Sequence, residues 1–225
     1  MSTGTFPARL HALFAQDTLD AVVIRRGPSK RTAIIAWDRK SDIFTLGRWL
    51  NARIYERRSD LSPDGKHLIY FAMNGKWHDI GSWTAISKAP YSSELALFSK
   101  DDCWNGGGLF ESAHSYWLND LNNGYGHKQV HDDGSLERTL AAPWPESYGG
   151  ECPGVYYVRL QKSGWVLTHT YEPSRHEAIH TFEKSLNSGW VLRKLANADI
   201  HHPVGKGCYY DTHSLVQAKD RKSVV

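Results

Sequence analysis

The segment Ser62-Pro63-Asp64-Gly65-Lys66 constrains the fold more strongly than any other feature of this chain. Proline presets φ at the entry of a turn, the aspartate side chain accepts hydrogen bonds from nearby backbone amides, and glycine adopts a positive φ without strain. The run His67-Leu68-Ile69-Tyr70-Phe71 that follows is rich in β-branched and aromatic residues. The segment therefore predicts a tight turn that leads into a half-buried β-strand.

Strand-like runs bounded by turn residues recur along most of the chain. Nine Trp and eleven Tyr among 225 residues fit the same interpretation, because large flat side chains suit strands better than helices. The length favours a single all-β domain over residues 1–225. The predicted strands are Asp20–Ile24, Thr32–Trp37, Ile43–Leu50, Arg53–Arg57, His67–Met73, Ser82–Ser87, Glu94–Phe98, Gly108–Phe110, Ser115–Leu118 and Cys208–Val216.

Three segments depart from this strand pattern. Pro7–Ala15 carries Leu10, Leu13 and Phe14 at helical spacing, which predicts a short helix within an N-terminal helical segment over residues 1–17. Residues 119–151 hold few apolar positions and predict a long irregular loop. The polar residues 217–225 predict a frayed tail.

The C-terminal third contains an internal repeat. Ser163-Gly164-Trp165-Val166-Leu167 recurs as Ser188-Gly189-Trp190-Val191-Leu192, and each copy follows an alternating stretch, Val155–Leu160 or Ile179–Lys184. The repeat predicts two β-hairpins, each with a Ser-Gly turn and a Trp-Val-Leu second strand.

The Ser62–Lys66 turn and the strand after it resemble the repeat of TolB-type, WD40-like β-propellers. That resemblance implies blades of about 40–45 residues, hence a propeller-like array of antiparallel hairpins with about five blades. A β-sandwich or an irregular barrel is the alternative, since either shows the same local signals. The rest of the chain resembles a group of uncharacterised bacterial proteins, and that resemblance implies no particular chemistry.

The charge is unevenly distributed along the chain. Residues 1–60 carry eleven basic and six acidic side chains, whereas the whole chain has a net charge of only +3. The excess fits either a basic face for an anionic partner or Lys and Arg that protect strand edges. Because +3 is small, we expect a protein or small-molecule partner, and nucleic acid is disfavoured.

The remaining composition indicates the compartment. Three cysteines without a short spacing do not suggest a disulfide framework, and no apolar run approaches the length of a membrane span. The N-terminus lacks the pattern of a signal peptide. We therefore expect a cytoplasmic protein that has no membrane partner and no cofactor.

Two glycine-rich segments supply candidate ligand-binding residues. In Asp101–Phe110, glycines can bring backbone amides close to a ligand and a Trp can stack on a ring, which selects Asp102, Trp104, Gly106 and Gly107. The segment lacks the Lys-Ser/Thr of a phosphate loop, and a glycine-rich bulge is the structural alternative. The turn 148–154 adds Tyr148 and Glu151 beside Cys152, with a purely structural turn as its alternative. His114 completes this set.

Asp211 and His213 are the candidates near the C-terminus. They alternate with Tyr209, so the three side chains are predicted to share one face of the last strand. His201, His202 and Cys208 add metal-capable side chains nearby, but their spacing fits no standard zinc pattern. We predict no metal, and a structural Asp–His pair is the preferred interpretation.

No nucleophile elbow, zinc-protease or dinucleotide-binding motif occurs in the sequence. The first hypothesis is therefore a non-catalytic protein- or ligand-binding module on a propeller-like scaffold. The alternative is a hydrolase or lyase acting on a glycan, with Asp102, Glu151 and Asp211 as its carboxylates in an aromatic cleft.

Overall fold

A computed structural model of the chain describes residues 8–27, 31–91, 94–120, 126–142, 152–174, 177–187, 189–197 and 210–217. Within these residues the chain forms mostly β-structure and one helix, α1 (Pro153–Lys162). The strands are β1 (Arg9–Phe14), β2 (Asp20–Arg26), β3 (Thr32–Asp38), β4 (Ile43–Leu50), β5 (Arg53–Leu61), β6 (His67–Met73), β7 (Ser82–Lys88), β8 (Glu94–Lys100), β9 (Gly108–Phe110), β10 (Ser115–Leu118), β11 (Lys128–Asp132), β12 (Glu137–Thr139), β13 (Val166–Ser174), β14 (Glu177–Ser185), β15 (Trp190–Asn197) and β16 (Tyr210–Gln217).

The strands form four sheets. Sheet A has the order β1-β2-β3-β4, sheet B the order β11-β8-β7-β6-β5, sheet C the order β12-β10-β9, and sheet D the order β13-β14-β15-β16. All pairs are antiparallel except β10–β12, and no sheet closes into a barrel in the described part of the chain. The all-β class and the strands predicted between residues 20 and 118 are confirmed. The last predicted strand is confirmed from Tyr210 onward, while Cys208 and Tyr209 lie outside the described residues.

The chain divides into two compact units, Met1–Arg159 and Leu160–Val225. Unit 1 contains sheets A, B and C, and unit 2 contains sheet D. Helix α1 begins in unit 1 and ends in unit 2. The organisation as one domain over residues 1–225 stays a prediction.

The turn at Ser62–Lys66 has the predicted chemistry. Gly65 adopts a φ of 76° and its amide donates to the Ser62 carbonyl at 2.9 Å. The Asp64 carboxylate accepts from the Ser62 hydroxyl at 2.6 Å and from the Lys66 amide at 3.2 Å. Although partial burial opposes it, these hydrogen bonds lower the pKa of Asp64. The Ser62 hydroxyl also accepts from the His67 amide at 2.9 Å, so the turn sets the start of β6.

The predicted helix over Pro7–Ala15 is wrong, because Arg9–Phe14 is strand β1. It pairs with β2 over six consecutive residues, from Arg9↔Arg26 to Phe14↔Ala21. Leu13 and Ala15 are buried while Phe14 is exposed, which is the two-residue period of a strand. The backbone pairing with β2 therefore overrides the helical spacing of the leucines.

The predicted loop over residues 119–151 needs a similar correction. Strand β11 pairs with β8 at the edge of sheet B, and β12 pairs with β10 in sheet C. Both strands are short and most of their residues are exposed, so the sequence shows no apolar alternation at these positions. Residues 121–125 and 143–151 lie outside the described part of the chain, as do residues 218–225 of the predicted tail.

The two copies of the C-terminal repeat have different structures. Val155–Leu160, predicted as a strand, lies in α1, where Pro153 occupies the first turn and the Tyr156 amide donates to the Cys152 carbonyl at 2.8 Å. Gly164 ends this helix with a φ of 81°, while the amide of Trp165 donates to the Leu160 carbonyl at 3.1 Å. This is a glycine C-cap of the Schellman type.

The second copy forms the predicted hairpin. Ile179–Lys184 lies in β14, which pairs with β15, and Gly189 lies between these strands with a φ of 78°. Glycine provides the same left-handed conformation for a helix cap and for a hairpin turn. The Ser-Gly sequence is therefore compatible with both structures and does not distinguish between them.

The main core of unit 1 lies between sheets A and B. Side chains from one face of sheet A pack against apolar side chains of sheet B in one buried cluster. We call this the inner face of sheet A, and its members include Leu13, Val22, Ile24, Ile34 and Leu50. No described helix is long and apolar enough to cross a membrane.

Candidate functional site

The glycine-rich segment 101–108 is a crowded crossing of backbone in unit 1. Asn105, Gly106 and Gly107 all have positive φ, at 55°, 86° and 74°. A Cβ atom on Gly106 would overlap the Phe71 ring, and one on Gly107 would overlap the Arg58 carbonyl. Close packing therefore requires glycine at these two positions, which agrees with a structural role for the glycine-rich segment.

Arg58, which the sequence did not single out, anchors this segment. Its side chain is buried, and Nη1 donates to the Cys103 carbonyl at 2.7 Å and also to the Asn105 carbonyl. Nε donates to the Cys152 Sγ at 3.4 Å. The guanidinium lies 5.0 Å from the centre of the Phe71 ring. One side chain of β5 thereby fixes both the 101–108 segment and the residue that precedes α1.

Asp102 and Trp104 differ in their surroundings. The Asp102 carboxylate accepts from the Trp104 amide at 2.9 Å and lies 3.4 Å from the Nζ of Lys100, whose side chain is buried. The Ser82 hydroxyl donates to the Asp102 carbonyl. Trp104 is 63% exposed, so its ring is accessible to a ligand, whereas Asp102 already holds the turn and an ion pair.

The other predicted ligand-binding residues of unit 1 do not join this cluster in the described part of the chain. His114 lies in the turn between β9 and β10, at the opposite end of that hairpin from Gly107. Its amide donates to the Ser112 hydroxyl at 3.1 Å and its side chain is exposed. Tyr148 and Glu151 lie outside the described residues.

A buried Thr–His–Asp arrangement lies beside Gly107. The hydroxyl of Thr84 accepts from the Gly107 amide at 2.8 Å and bonds to Nε2 of His127 at 2.8 Å. Nδ1 of His127 lies 3.5 Å from the Asp120 carboxylate, and the ring meets Phe98 edge-on at 6.3 Å. Because Thr84 and the His127 side chain have no exposed surface, this arrangement cannot present a nucleophile to a substrate and serves the packing of unit 1.

His127 gives a prediction for stability against pH. Burial lowers the pKa of His127 to about 4, and it outweighs the opposing effect of Asp120. A histidine in the unfolded chain has a pKa of about 6.5, so between pH 4 and pH 6.5 the unfolded chain binds more protons than the folded one. We expect His127 to contribute stability that is complete above pH 6.5 and is lost as the pH falls toward 4, by up to about 1.4 kcal/mol per pH unit.

Urea unfolding of the wild type and His127→Gln between pH 4 and 8 tests this prediction. The wild type should lose stability on acidification more steeply than the variant, because only the wild type has His127. The variant should still lose some stability, since other histidines with a lowered pKa, such as His67 and His180, remain in both proteins. Matching circular dichroism spectra at pH 8 serve as the folding control. Parallel stability curves for the two proteins would contradict the assignment.

Asp211 and His213 lie in unit 2, on one face of β16 as predicted. The Asp211 carboxylate accepts from Nζ of Lys194 at 3.3 Å, and that ammonium lies 5.1 Å from the centre of the Trp165 ring. Burial and then the nearby Lys194 lower the pKa of His213, while Asp211 partly opposes them. Among the described residues, no three His, Cys, Asp or Glu side chains form a metal-binding group. His201, His202 and Cys208 lie outside them.

Sheet A has a second apolar surface, opposite the core. Its register places the side chains in three rows, which together we call the outer face of sheet A. Trp37 and Phe44 stack at 5.2 Å between ring centres, and Arg25 lies over the Trp49 ring at 5.4 Å. The rows are Phe14–Ala21–Trp37–Phe44, Ala12–Val23–Ile35–Leu46 and Leu10–Arg25–Ala33–Trp49.

Much of this outer face is exposed. Phe14, Phe44 and Trp49 are each about half exposed and contribute on the order of 300 Å² of aromatic surface, to which Leu10 and Leu46 add. An apolar patch of this size lies at the lower end of the range of about 300–600 Å² in which the largest patch of a monomer is often functional. The sequence does carry a signal for this surface. Apolar residues occur at neighbouring positions of β3 and β4, whereas a strand that is buried on one face alternates apolar and polar residues.

No protein-family model matches the chain, and neither a curated protein nor a solved structure shows significant similarity.

Proposed function

We propose that this chain is a non-catalytic binding module on a propeller-like scaffold, and that its partner docks on the outer face of sheet A. The observation that carries the proposal is the exposed aromatic and apolar surface built from Phe14, Trp37, Phe44, Leu46 and Trp49. A side chain such as Trp49 costs solvation free energy when exposed, and a partner that covers it recovers that cost.

The propeller-like scaffold has two supports. β1–β4 and β5–β8 are consecutive four-stranded antiparallel meanders with their strands in chain order, as in propeller blades. The Ser62–Lys66 turn precedes the second strand of the second meander, as the resemblance to TolB-type repeats implies.

The partner's chemistry follows from the surface. Arg25 covers Trp49 and Arg39 lies 5.1 Å from the centre of the Phe14 ring, so guanidinium groups flank the apolar rows at two places. The outer face therefore suits a protein segment that has an apolar stripe and acidic side chains beside it.

The glycan-acting alternative needs two carboxylates that converge beside exposed aromatic rings. Asp102 is paired with Lys100 in unit 1, and Asp211 is paired with Lys194 in unit 2. Because no observation in the described residues favours this alternative over the binding module, it stays a prediction.

Affinity capture with immobilised protein tests the binding function. We expect the combined variant Leu10→Lys/Trp49→Gln to lose at least about tenfold of the captured partner, because both exposed side chains lie in one row of the outer face. Quantitative mass spectrometry of the bound fraction from host lysate is the measurement.

Tyr91→Gln is the matched control, since Tyr91 is an exposed aromatic residue outside sheet A. It should retain the proteins that the wild type captures. Capture of the same proteins by the wild type and by both variants, or of none at micromolar concentrations, would count against the proposal.

A further inference from the structure

We propose that Arg9, Arg26 and Arg53, which together we call the arginine cluster, bind a phosphate group. Arg9 lies directly opposite Arg26 in the pairing of β1 with β2, so both side chains lie on the inner face of sheet A. Nη1 of Arg26 lies 2.8 Å from the Glu56 carboxylate, which ties this end of β2 to β5, the strand that begins at Arg53. The fold therefore brings together arginines from three strands.

The arginine cluster carries more positive charge than its ion pair neutralises. Among the described residues, Glu56 pairs with Arg26, while Arg9 and Arg53 form no ion pair. Three positive charges and one negative charge leave a net charge of +2. Burial lowers the pKa of Arg26 and Glu56 opposes this effect. The charges of Arg53 and Arg9 lower the pKa of Arg26 further, so the three guanidinium groups lie near enough to repel one another.

The acidic residues of sheet A lie at the end opposite to the arginine cluster. Residues 1–16, 21–37 and 43–55 contain no Asp or Glu, and Asp20 pairs with Asp38 at the far end of the sheet. Because Arg26 lies in β2, which has a neighbouring strand on each side, its charge does not protect a strand edge. Like charges directly opposite each other destabilise a sheet, and an anion bound between Arg9 and Arg26 removes their repulsion.

The groups beside the cluster do not cancel its charge. Arg159 donates from Nη1 to the Glu56 carbonyl at 3.1 Å and from Nη2 to Nε2 of His11 at 3.0 Å. Because a guanidinium only donates, this His11 nitrogen accepts and carries no proton. Burial lowers the pKa of Arg159, Asp60 opposes this effect, and the nearby Arg57 adds to it. Asp60 therefore offsets the charge of Arg159 and leaves the net charge of the cluster in place.

The chemistry of the cluster selects a phosphate group. Guanidinium groups present paired donors that match the oxygens of phosphate. A phosphate monoester carries about −1.5 to −2 charges at pH 7, which matches the cluster, whereas a carboxylate carries a single negative charge. Arg53 is held over the Tyr55 ring at 4.5 Å and Arg26 is held by Glu56, so two of the three guanidinium groups are positioned before a ligand binds. Arg9 and Arg53 are exposed, which leaves the cluster open to solvent.

Isothermal titration calorimetry near pH 7.5 at constant ionic strength tests the site, with inorganic phosphate and glycerol 2-phosphate as the two probes. The wild type should bind with a dissociation constant of about 1 mM or below. Arg9→Gln and Arg53→Gln should each weaken binding at least about fivefold, since each removes a charged donor. Glu56→Gln should tighten binding at least about threefold, because glutamine still accepts a hydrogen bond from Arg26 but lacks the opposing negative charge.

Two control measurements separate this site from general electrostatics and from the proposed function. Lys40→Gln removes the same charge from an exposed turn between β3 and β4, at the opposite end of sheet A, and should leave phosphate affinity unchanged. The combined variant Arg9→Gln/Arg53→Gln should keep the captured protein partner, because neither residue lies on the outer face, so this inference and the proposed function can fail independently. Matching circular dichroism spectra serve as the folding control.

A wild type that binds neither probe at about 10 mM overturns the inference. So does a phosphate affinity that Arg9→Gln and Arg53→Gln leave unchanged, that Lys40→Gln weakens as strongly, or that Glu56→Gln fails to raise. Equally tight binding of acetate overturns the assignment to phosphate. Tighter binding of glycerol 2-phosphate supports the site and identifies a phosphorylated small molecule as the source of the group, whereas tighter binding of inorganic phosphate supports it and identifies the free ion.

Discussion

Replacing Gly107 with alanine should destabilise the protein by about 4 kcal/mol or more. Gly107 has a φ of 74°, where any other L-residue is strained by about 1–2 kcal/mol. A Cβ there would also overlap the Arg58 carbonyl, which belongs to the buried strand β5 and cannot move alone. The shift needed would break the hydrogen bonds of the Gly107 amide to Thr84 and of its carbonyl to the Asn119 amide.

Gly75→Ala is a matched control for this effect. Gly75 also has a φ of 74°, but nothing lies within 4 Å of a Cβ at that position. The Gly75→Ala variant should lose only about 1–2 kcal/mol of unfolding free energy, which is what a positive φ costs a non-glycine residue. Urea unfolding midpoints of the two variants give the comparison, and equal losses would show that the crossing at Gly107 is not tightly packed.

The sequence predicted what depends on neighbouring residues. Ser62–Lys66 forms the predicted turn because its hydrogen bonds join residues at most five apart. The strands between residues 20 and 118 were likewise predicted, because most of their runs are rich in β-branched or aromatic residues and are bounded by turn residues. Where the local signal and the structure agree, no distant contact is needed to explain the outcome.

The errors lie in short apolar runs whose structure is decided by residues outside the run. β1 is a strand because β2 pairs with it, although the spacing of Leu10, Leu13 and Phe14 also fits a helix. Val155–Leu160 has the composition of a strand, yet Pro153 and the C-cap at Gly164 define a helix around it. In both segments a short apolar run is compatible with either period, and the chain around it selects one.

The candidate site shows the same limit. The glycine cluster at 106–107 was predicted from the sequence, but its contacts with Arg58 and Thr84 were not. These two residues precede Gly107 by 49 and 23 positions in the chain. The burial of His127 depends on Phe98 and Thr84, which lie far from it in the sequence. The outer face of sheet A depends on the register of four strands, which no single strand reveals.

Replacing Arg58 with methionine should cost about 3 kcal/mol or more. Methionine fills the space of the aliphatic stem but leaves the carbonyls of Cys103 and Asn105 without the donor that Nη1 provides. A hydrogen bond from a charged donor contributes about 1.5–3 kcal/mol, and the substitution removes two of them together. Arg58→Lys should rescue only part of the loss, because one ammonium cannot reproduce the two-directional fork that contacts both Asn105 and the sulfur of Cys152.

Arg53→Met is the control, because both Arg58 and Arg53 lie over the Tyr55 ring, at 5.0 Å and 4.5 Å, but Arg53 does so from an exposed position. It should change stability by less than about 1 kcal/mol. Urea unfolding gives the global effect, and hydrogen exchange of residues 101–108 gives the local one, since Arg58 holds two carbonyls of that segment. If Arg58→Met exchanges this segment at the wild-type rate, the buried guanidinium does not fix the glycine-rich crossing. If the variant is destabilised in urea while residues 101–108 keep their exchange rate, Arg58 contributes only to the packing of β5.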